Sequence, residues 1–143
     1  MASNSRFAVA VHVVTFLANH QDDEPVSSDF IASSVNTNPV VIRRLLKTLI
    51  DAGLVRTKEG SQGGSELALP ADQITLLDVY RALDEGEVFA LHRNPPNPEC
   101  VVGRSIVGVL EDVIDDAQTA MERELAQVTI AQLLQRVLIR SNA

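Results

Sequence analysis

The sequence predicts a mainly α-helical protein: three helices, a two-stranded hairpin, a fourth helix, then one long helix and a short last one. Three observations predict it. Apolar residues recur at helical spacing through most of the 143 residues. One stretch departs from that period: LVRTKE and SELAL are short alternating runs on either side of GSQGG, the pattern of a hairpin with a glycine tip. The core must be aliphatic, because 45% of the chain is hydrophobic while aromatics are 3% and Trp is absent. That hydrophobic share excludes a disordered chain, and the length suits one domain with a real core.

The first helix is expected from about Ser5 to Asn19, with Phe7, Val11, Val14, Leu17 and Ala18 on its inner face. QDDEP is a turn. Ser27 is a good N-cap for a second, short helix ending near Val35, and Val26 and Ile31 flank that cap as a hydrophobic staple. Asn36 and Thr37 make a tight turn. Asn38 caps a third helix with Pro39 at its first position, where the missing N–H costs nothing. Ile42, Leu45, Leu46 and Leu49 form its buried stripe, and Gly53 suits the left-handed position after its end.

After the hairpin, Thr75 and Asp78 form a capping box, with Ile74 and Val79 as the staple, for a fourth helix from Leu76 to about Leu83. Pro95, Pro96 and Pro98 exclude regular structure late in the next segment, so residues 85–100 read as a linker and sensor loop with a short extended piece at Val88–Leu91. A long helix follows from about Val101 to Gln127. It carries two apolar rows: Ile106, Val109, Val113, Ala117, Ala120, and Val107, Leu110, Ile114, Met121, Leu125. At ~40 Å it is longer than so small a domain can cover, so a second copy is expected on it. The dimerisation residues are read as Ile106, Val109, Leu110, Val113, Ala117 and Met121. Thr129 and Gln132 box the last helix, Ile130 to about Ile139, which should bury Leu133, Leu134, Val137 and Leu138. The division is residues 1–84, the loop 85–100, and 101–143.

No apolar run approaches the ~20 residues of a membrane span. The N-terminal apolar segment is interrupted by His12 and Thr15 and lacks a charged start, so it reads as a helix rather than a signal peptide, and the protein as cytoplasmic. One cysteine cannot form an intrachain disulfide, which agrees with a reducing compartment. No Ser–His–Asp set, phosphate loop or metal-ligand spacing is present, and GSQGG lacks the lysine of a P-loop, so an enzyme is not expected.

The net charge of −7 argues against a polyanionic partner only if it is evenly spread. Between Asn36 and Gly64 stand Arg43, Arg44, Lys47, Arg56 and Lys58 against Asp51 and Glu59, a net of +3, which leaves −10 for the rest. Helix, short helix, tight turn, basic helix and glycine-tipped hairpin together describe a winged helix-turn-helix. A helix fits the major groove and its N-terminal residues reach base edges. Arg56 and Lys58 can meet phosphates, and the wing glycines permit close approach. The competing reading is an interaction module that has lost DNA binding and uses its long helix for partners.

The runs NTNPVVIRRLLKTLIDAGLVRTKEGSQGGSELA and ITLLDVYRALDEG, read together, resemble the Rrf2 family of bacterial transcription regulators, and NPECVVGRSI with VFALH before it is most similar to the YwnA-like branch. The resemblance covers nearly the whole chain. It implies a homodimer with paired long helices whose two winged domains read a palindromic operator on double-stranded DNA; the expected function is a repressor whose operator binding responds to a small-molecule or redox signal. It implies DNA contacts at Ser28, Asn36, Thr37, Asn38, Val40, Arg43, Arg44, Lys47 and the wing Ser61, Gln62 and Gly63. Two departures stand out. Cluster-binding members carry three cysteines before or at the start of the long helix, whereas this chain has only Cys100 there, with His92 and Glu99 nearby. An iron–sulfur cluster wants about four ligands, so no cofactor is expected. Ser65 also stands where an aromatic is common.

Cys100 at a helix start would have a lowered pKa, helped by Arg104, and so could sense oxidants; the plainer reading is a small buried residue under the loop. His12 reads as a core or edge residue and His20 as solvent-exposed. Tyr80 and Phe89 could line a small effector pocket between the two parts, or simply pack in the core.

Overall fold

In the computed structural model, which describes residues 2–60 and 63–142 and side chains from Ser5 onward, the element order matches the periodicity. The helices are α1 (Ala2–Asn19), α2 (Ser28–Val35), α3 (Pro39–Asp51), α4 (Leu76–Leu83), α5 (Val101–Ala126) and α6 (Ile130–Ser141). The strands β1 (Val55–Lys58) and β2 (Gly64–Leu67) pair antiparallel, with Val55 opposite Leu67 and Arg56 opposite Glu66. A short 3-10 turn at Ala71–Gln73 precedes α4 and has no helical period to announce it.

The caps explain where the helices begin. The Ser27 hydroxyl accepts from Phe30 N–H at 3.1 Å, and the Asn38 carboxamide accepts from Val40 N–H at 2.8 Å. Thr75 with Asp78 and Thr129 with Gln132 close reciprocal capping boxes. Asn36 ends α2 in the left-handed region, at φ 64°, which an asparagine tolerates better than most residues. Gly53 does the same after α3, at φ 80°.

One aliphatic core joins these elements. Ala10, Val13, Val14 and Leu17 of α1 are buried in it with Ile31, Ile42, Leu49, Val55, Ile74, Val79 and Ile130. The inner face of α1 is therefore rotated from the expected one: Phe7 and Val11 are half-buried, and Ala10 and Val13 lie at its centre. The helix is apolar nearly all round, so period alone does not fix which side faces in.

Three further expectations are corrected. Val88–Leu91 is not a regular extended piece: Val88 and Phe89 lie in a bend and the segment pairs with no strand. Of α6 only Ile130 is fully buried; Leu133 and Leu134 are half-buried, and Val137 and Leu138 are 45% and 43% exposed. The first turns of α6 pack on α1 and the 3-10 turn, and its end runs past the core. His20 is half-buried, its ring stacked on Phe16 at 4.4 Å and Nδ1 2.9 Å from the Phe16 carbonyl oxygen. His12 is an edge residue, 2.9 Å from the Ser34 hydroxyl.

The return of α6 makes the chain's end part of the winged unit. Ile130 N–H donates to Ile74 O at 2.8 Å, and Leu76 N–H donates to Val128 O at 2.9 Å. The boundary at residue 101 therefore does not separate two packing units. Helix α5 buries no residue fully in the core and touches the winged unit through α4.

The wing is tied to the body by a backbone bridge: Val26 N–H to Ser65 O at 2.9 Å and Ser65 N–H to Val26 O at 2.8 Å. Ser65, which stands where an aromatic is common, is 4% exposed beneath it. The bridge needs a glycine at position 64, since a Cβ there would lie 2.5 Å from the Val26 carbonyl oxygen. Gly64→Ala is expected to cost about 1–3 kcal/mol, as overpacking against backbone does, and urea unfolding measures it. An unchanged midpoint would show that the bridge gives way freely.

Candidate nucleic-acid interface

The buried stripe of α3 sets what its other faces present. With Ile42, Leu45, Leu46 and Leu49 all turned inward, the residues between them, Val40, Arg43, Arg44 and Lys47, are exposed. The cations divide between two flanks. Arg43 and Lys47 face α2 and the wing, where Ser28, Thr57, Lys58 and Gly64 share an open cleft of about 330 Å³ with them. Arg43 donates to the Ser28 hydroxyl at 3.4 Å. Arg44 instead faces α1, beside Ser5, Arg6 and Val9.

The fold thus brings Ser28 of α2, Arg43 and Lys47 of α3 and Lys58 of β1 together from three separate elements. It constrains some of the others. Arg56 is paired with Glu66 across the hairpin at 2.6 Å, and Lys47 with Asp51 at 3.2 Å. Both pairs are well exposed, so they hold little stabilisation, and the cations can exchange them for phosphates. Arg44 and Lys58 make no ion pair among the described residues. The Asn38 side chain is committed to its cap, and Asn36 shapes the turn through its backbone. Thr37 is half-buried between them. Gly63 N–H donates to Gly60 O at 3.0 Å, which closes the wing tip. Ser61 and Gln62 lie outside the described residues.

Two contributors escape a reading by charge and period. Val41, 44% exposed beside Val40 at 43%, extends an apolar patch at the start of α3 of the kind that meets thymine methyl groups. Arg6 reaches the flank of α3, donating to the Thr48 hydroxyl at 3.3 Å. Its other contacts are Leu83 O at 3.4 Å and Glu85 at 3.5 Å. Only the three-dimensional return of α1 alongside α3 places it there.

On α5 no residue is fully buried. The two apolar rows face different ways. Val109 and Val113 are 56% and 57% exposed and Ala117 is exposed, whereas Ile106, Leu110, Ile114 and Met121 are half-buried. Met121 turns toward its own winged unit, where it lines a cavity with Phe7 and Tyr80. Phe89 is 57% exposed and does not line that cavity. Among the described residues no helix is long and apolar enough to cross a membrane.

Comparison with known proteins agrees with this geometry. Residues 3–136 match the Rrf2 family, described as iron-dependent transcriptional regulators. YwnA of Bacillus subtilis, named as an HTH-type transcriptional regulator, is 44% identical over 132 residues, 92% of this chain and 96% of its own length. Among solved structures, a transcriptional regulator from Lactobacillus plantarum superimposes with a TM-score of 0.77 at 27% identity, covering 92% of this chain and 89% of that one. IscR of T. potens gives 0.72 at 25%, covering 92% and 85%.

The iron in the family's description has no matching donor set here. Among the described residues no three His, Cys, Asp or Glu side chains converge as ligands, and the chain has a single thiol. That thiol is not buried under the loop, as the plainer expectation had it. Cys100 is exposed at the N-cap of α5, after a turn in which Cys100 N–H donates to Asn97 O at 3.2 Å. The backbone N–H groups of Gly103, and then Val102, hold its thiol below the ordinary cysteine value; Arg104 plays no part in this. The thiolate is the reactive form. Alkylation by iodoacetamide, followed against pH, is expected to reach half-maximal rate at a lower pH than free cysteine does. A midpoint at or above that of free cysteine would mean the helix start does not stabilise the thiolate.

Proposed function

This chain belongs to the Rrf2 family of transcriptional regulators, and on that premise we propose that it is a cytoplasmic homodimeric repressor that reads a palindromic operator with α3 and the wing. Its partner is DNA, and its family works by binding rather than by catalysis. The observation that carries the proposal is the cleft in which Ser28, Arg43, Lys47 and Lys58 face one solvent-open space between the start of α2, the middle of α3 and the wing.

The division of labour follows from chemistry. Val40 and the turn at Asn36–Asn38 stand where base edges come within reach of the helix start. Arg43 and Arg44 are suited to bidentate contact with guanine or phosphate, and Lys47, Lys58 and Arg56 to phosphate as point or fork charges. Contacts to the DNA backbone beside the groove are assigned to Ser61, Gln62 and Gly63.

A second copy completes the site. The exposed row Val109, Val113 and Ala117, flanked by Ile106 and Leu110, is the surface we assign to pairing. A two-fold dimer places two α3 helices one helical turn of DNA apart, and so dictates a palindrome. Occupying the operator is all that repression requires. A signal, either a small molecule at the junction of α4 and α5 or modification of Cys100, acts by changing the angle between the winged units. No metal or cluster enters this scheme, since the donor set for one is missing among the described residues.

The test is fluorescence anisotropy on the chain's own promoter DNA across a salt series. Binding is expected to weaken steeply with salt. Arg43→Ala with Lys47→Ala should reduce affinity at least about tenfold and flatten the salt slope by about two. Light scattering should still report a dimer. Wild-type affinity in the double variant would remove the assigned face. Val113→Glu, in turn, should convert the dimer to monomer in the same light-scattering measurement; a surviving dimer would place the interface elsewhere.

A further inference from the structure

We propose that the cavity between α1, α4, α5 and the start of the 85–100 loop is a binding site for a small organic cation, an amine with an apolar or aromatic body. The cavity has a volume of about 300 Å³, at the small end of the range that holds drug-like ligands. Phe7, Tyr80, Met121 and Leu125 form an apolar wall, and Glu85 and Glu87 form the polar side. Among the described residues no basic side chain lines it.

Three features favour a cation over a neutral or anionic occupant. Phe7 and Tyr80 meet edge to face, with centroids 6.1 Å apart at 74°, and the faces of such rings attract ammonium groups. Tyr80 is held by a polar clamp: Gln118 Nε2 donates to its hydroxyl at 3.2 Å and to Glu122 at 2.9 Å, and Glu122 pairs with Arg81 at 3.2 Å. The ring is thereby fixed before any ligand arrives. Glu87 makes no hydrogen bond or ion pair among the described residues, so its carboxylate is available. Glu85 is matched only by Arg6, at 3.5 Å, longer than a strong charge-assisted bond.

The regulatory consequence rests on the repressor reading. Arg6 links Glu85 of the cavity to Thr48 of α3 through one guanidinium. An ammonium entering beside Glu85 competes with Arg6 for that carboxylate and loosens the strap between cavity and recognition helix. Amine and operator then weaken each other by the same factor.

Isothermal titration calorimetry of the full-length protein with 2-phenylethylamine, 2-phenylethanol and phenylacetate decides the matter. The amine is expected to bind roughly tenfold tighter than the alcohol, with no measurable binding of the carboxylate. Glu87→Gln, an exposed and isosteric change, should remove most of the amine's advantage. Equal binding of all three, or an advantage that survives Glu87→Gln, would overturn the cation assignment. No binding of any probe up to about 10 mM would overturn the site itself. Operator binding by the ligand-free protein is measured separately. Its absence would sink the repressor reading while leaving the calorimetric answer standing, and an operator affinity unmoved by a bound amine would remove the coupling through Arg6.

Discussion

Burial of α1 is the constraint on which the rest of the molecule depends. Its Ala10, Val13, Val14 and Leu17 sit at the centre of an aliphatic core, and α2, α4, α6 and β2 all pack against it. With few aromatics to fill space, the core relies on close aliphatic interdigitation, which tolerates little shift between elements. The same core holds Ile42, Leu45, Leu46 and Leu49 and so fixes the rotation of α3. Which cations reach solvent, and on which flank, follows from that rotation.

The charge arrangement then becomes intelligible. An acidic protein binds a polyanion when its negative charge is held away from the contact face. Here six of the nineteen acids lie on α5, in Glu111, Asp112, Asp115, Asp116, Glu122 and Glu124, while Arg43, Arg44, Lys47, Arg56 and Lys58 stand on α3 and the wing. The exposed pairs Lys47–Asp51 and Arg56–Glu66 keep that face from being fully committed in the free protein. Their partners are replaceable at small cost, because exposed ion pairs contribute little.

Helix α5 occupies a middle position. It is attached to the winged unit through the clamp of Gln118, Tyr80, Glu122 and Arg81, and it leaves Val109 and Val113 uncovered. The same helix therefore lines the internal cavity on one side and offers an apolar row on the other. A change in the cavity bears on the clamp, and the clamp sets how the winged unit is carried on α5. Arg6 adds a second, shorter route from the cavity to α3.

What the sequence by itself determined is local and periodic. Ser27, Asn38, Thr75 and Thr129 mark helix starts because a side-chain oxygen satisfies an orphan N–H within three residues. The stripe of α3 and the glycine-tipped hairpin are legible for the same reason: their signals span one element. Tertiary structure alone decided the matters that depend on distant partners. The inner face of α1 has no polar side to reveal it, α6 is buried only where it returns to α1, and His20 is covered in part by Phe30 of α2, whose ring lies 5.6 Å from its own. The pairing of Arg56 with Glu66 needs the hairpin register, and the contact of Arg6 with α3 needs the fold to bring residues 6 and 48 together. Each is a long-range or register-dependent contact, which periodicity and capping chemistry do not encode because they act within a single turn of chain.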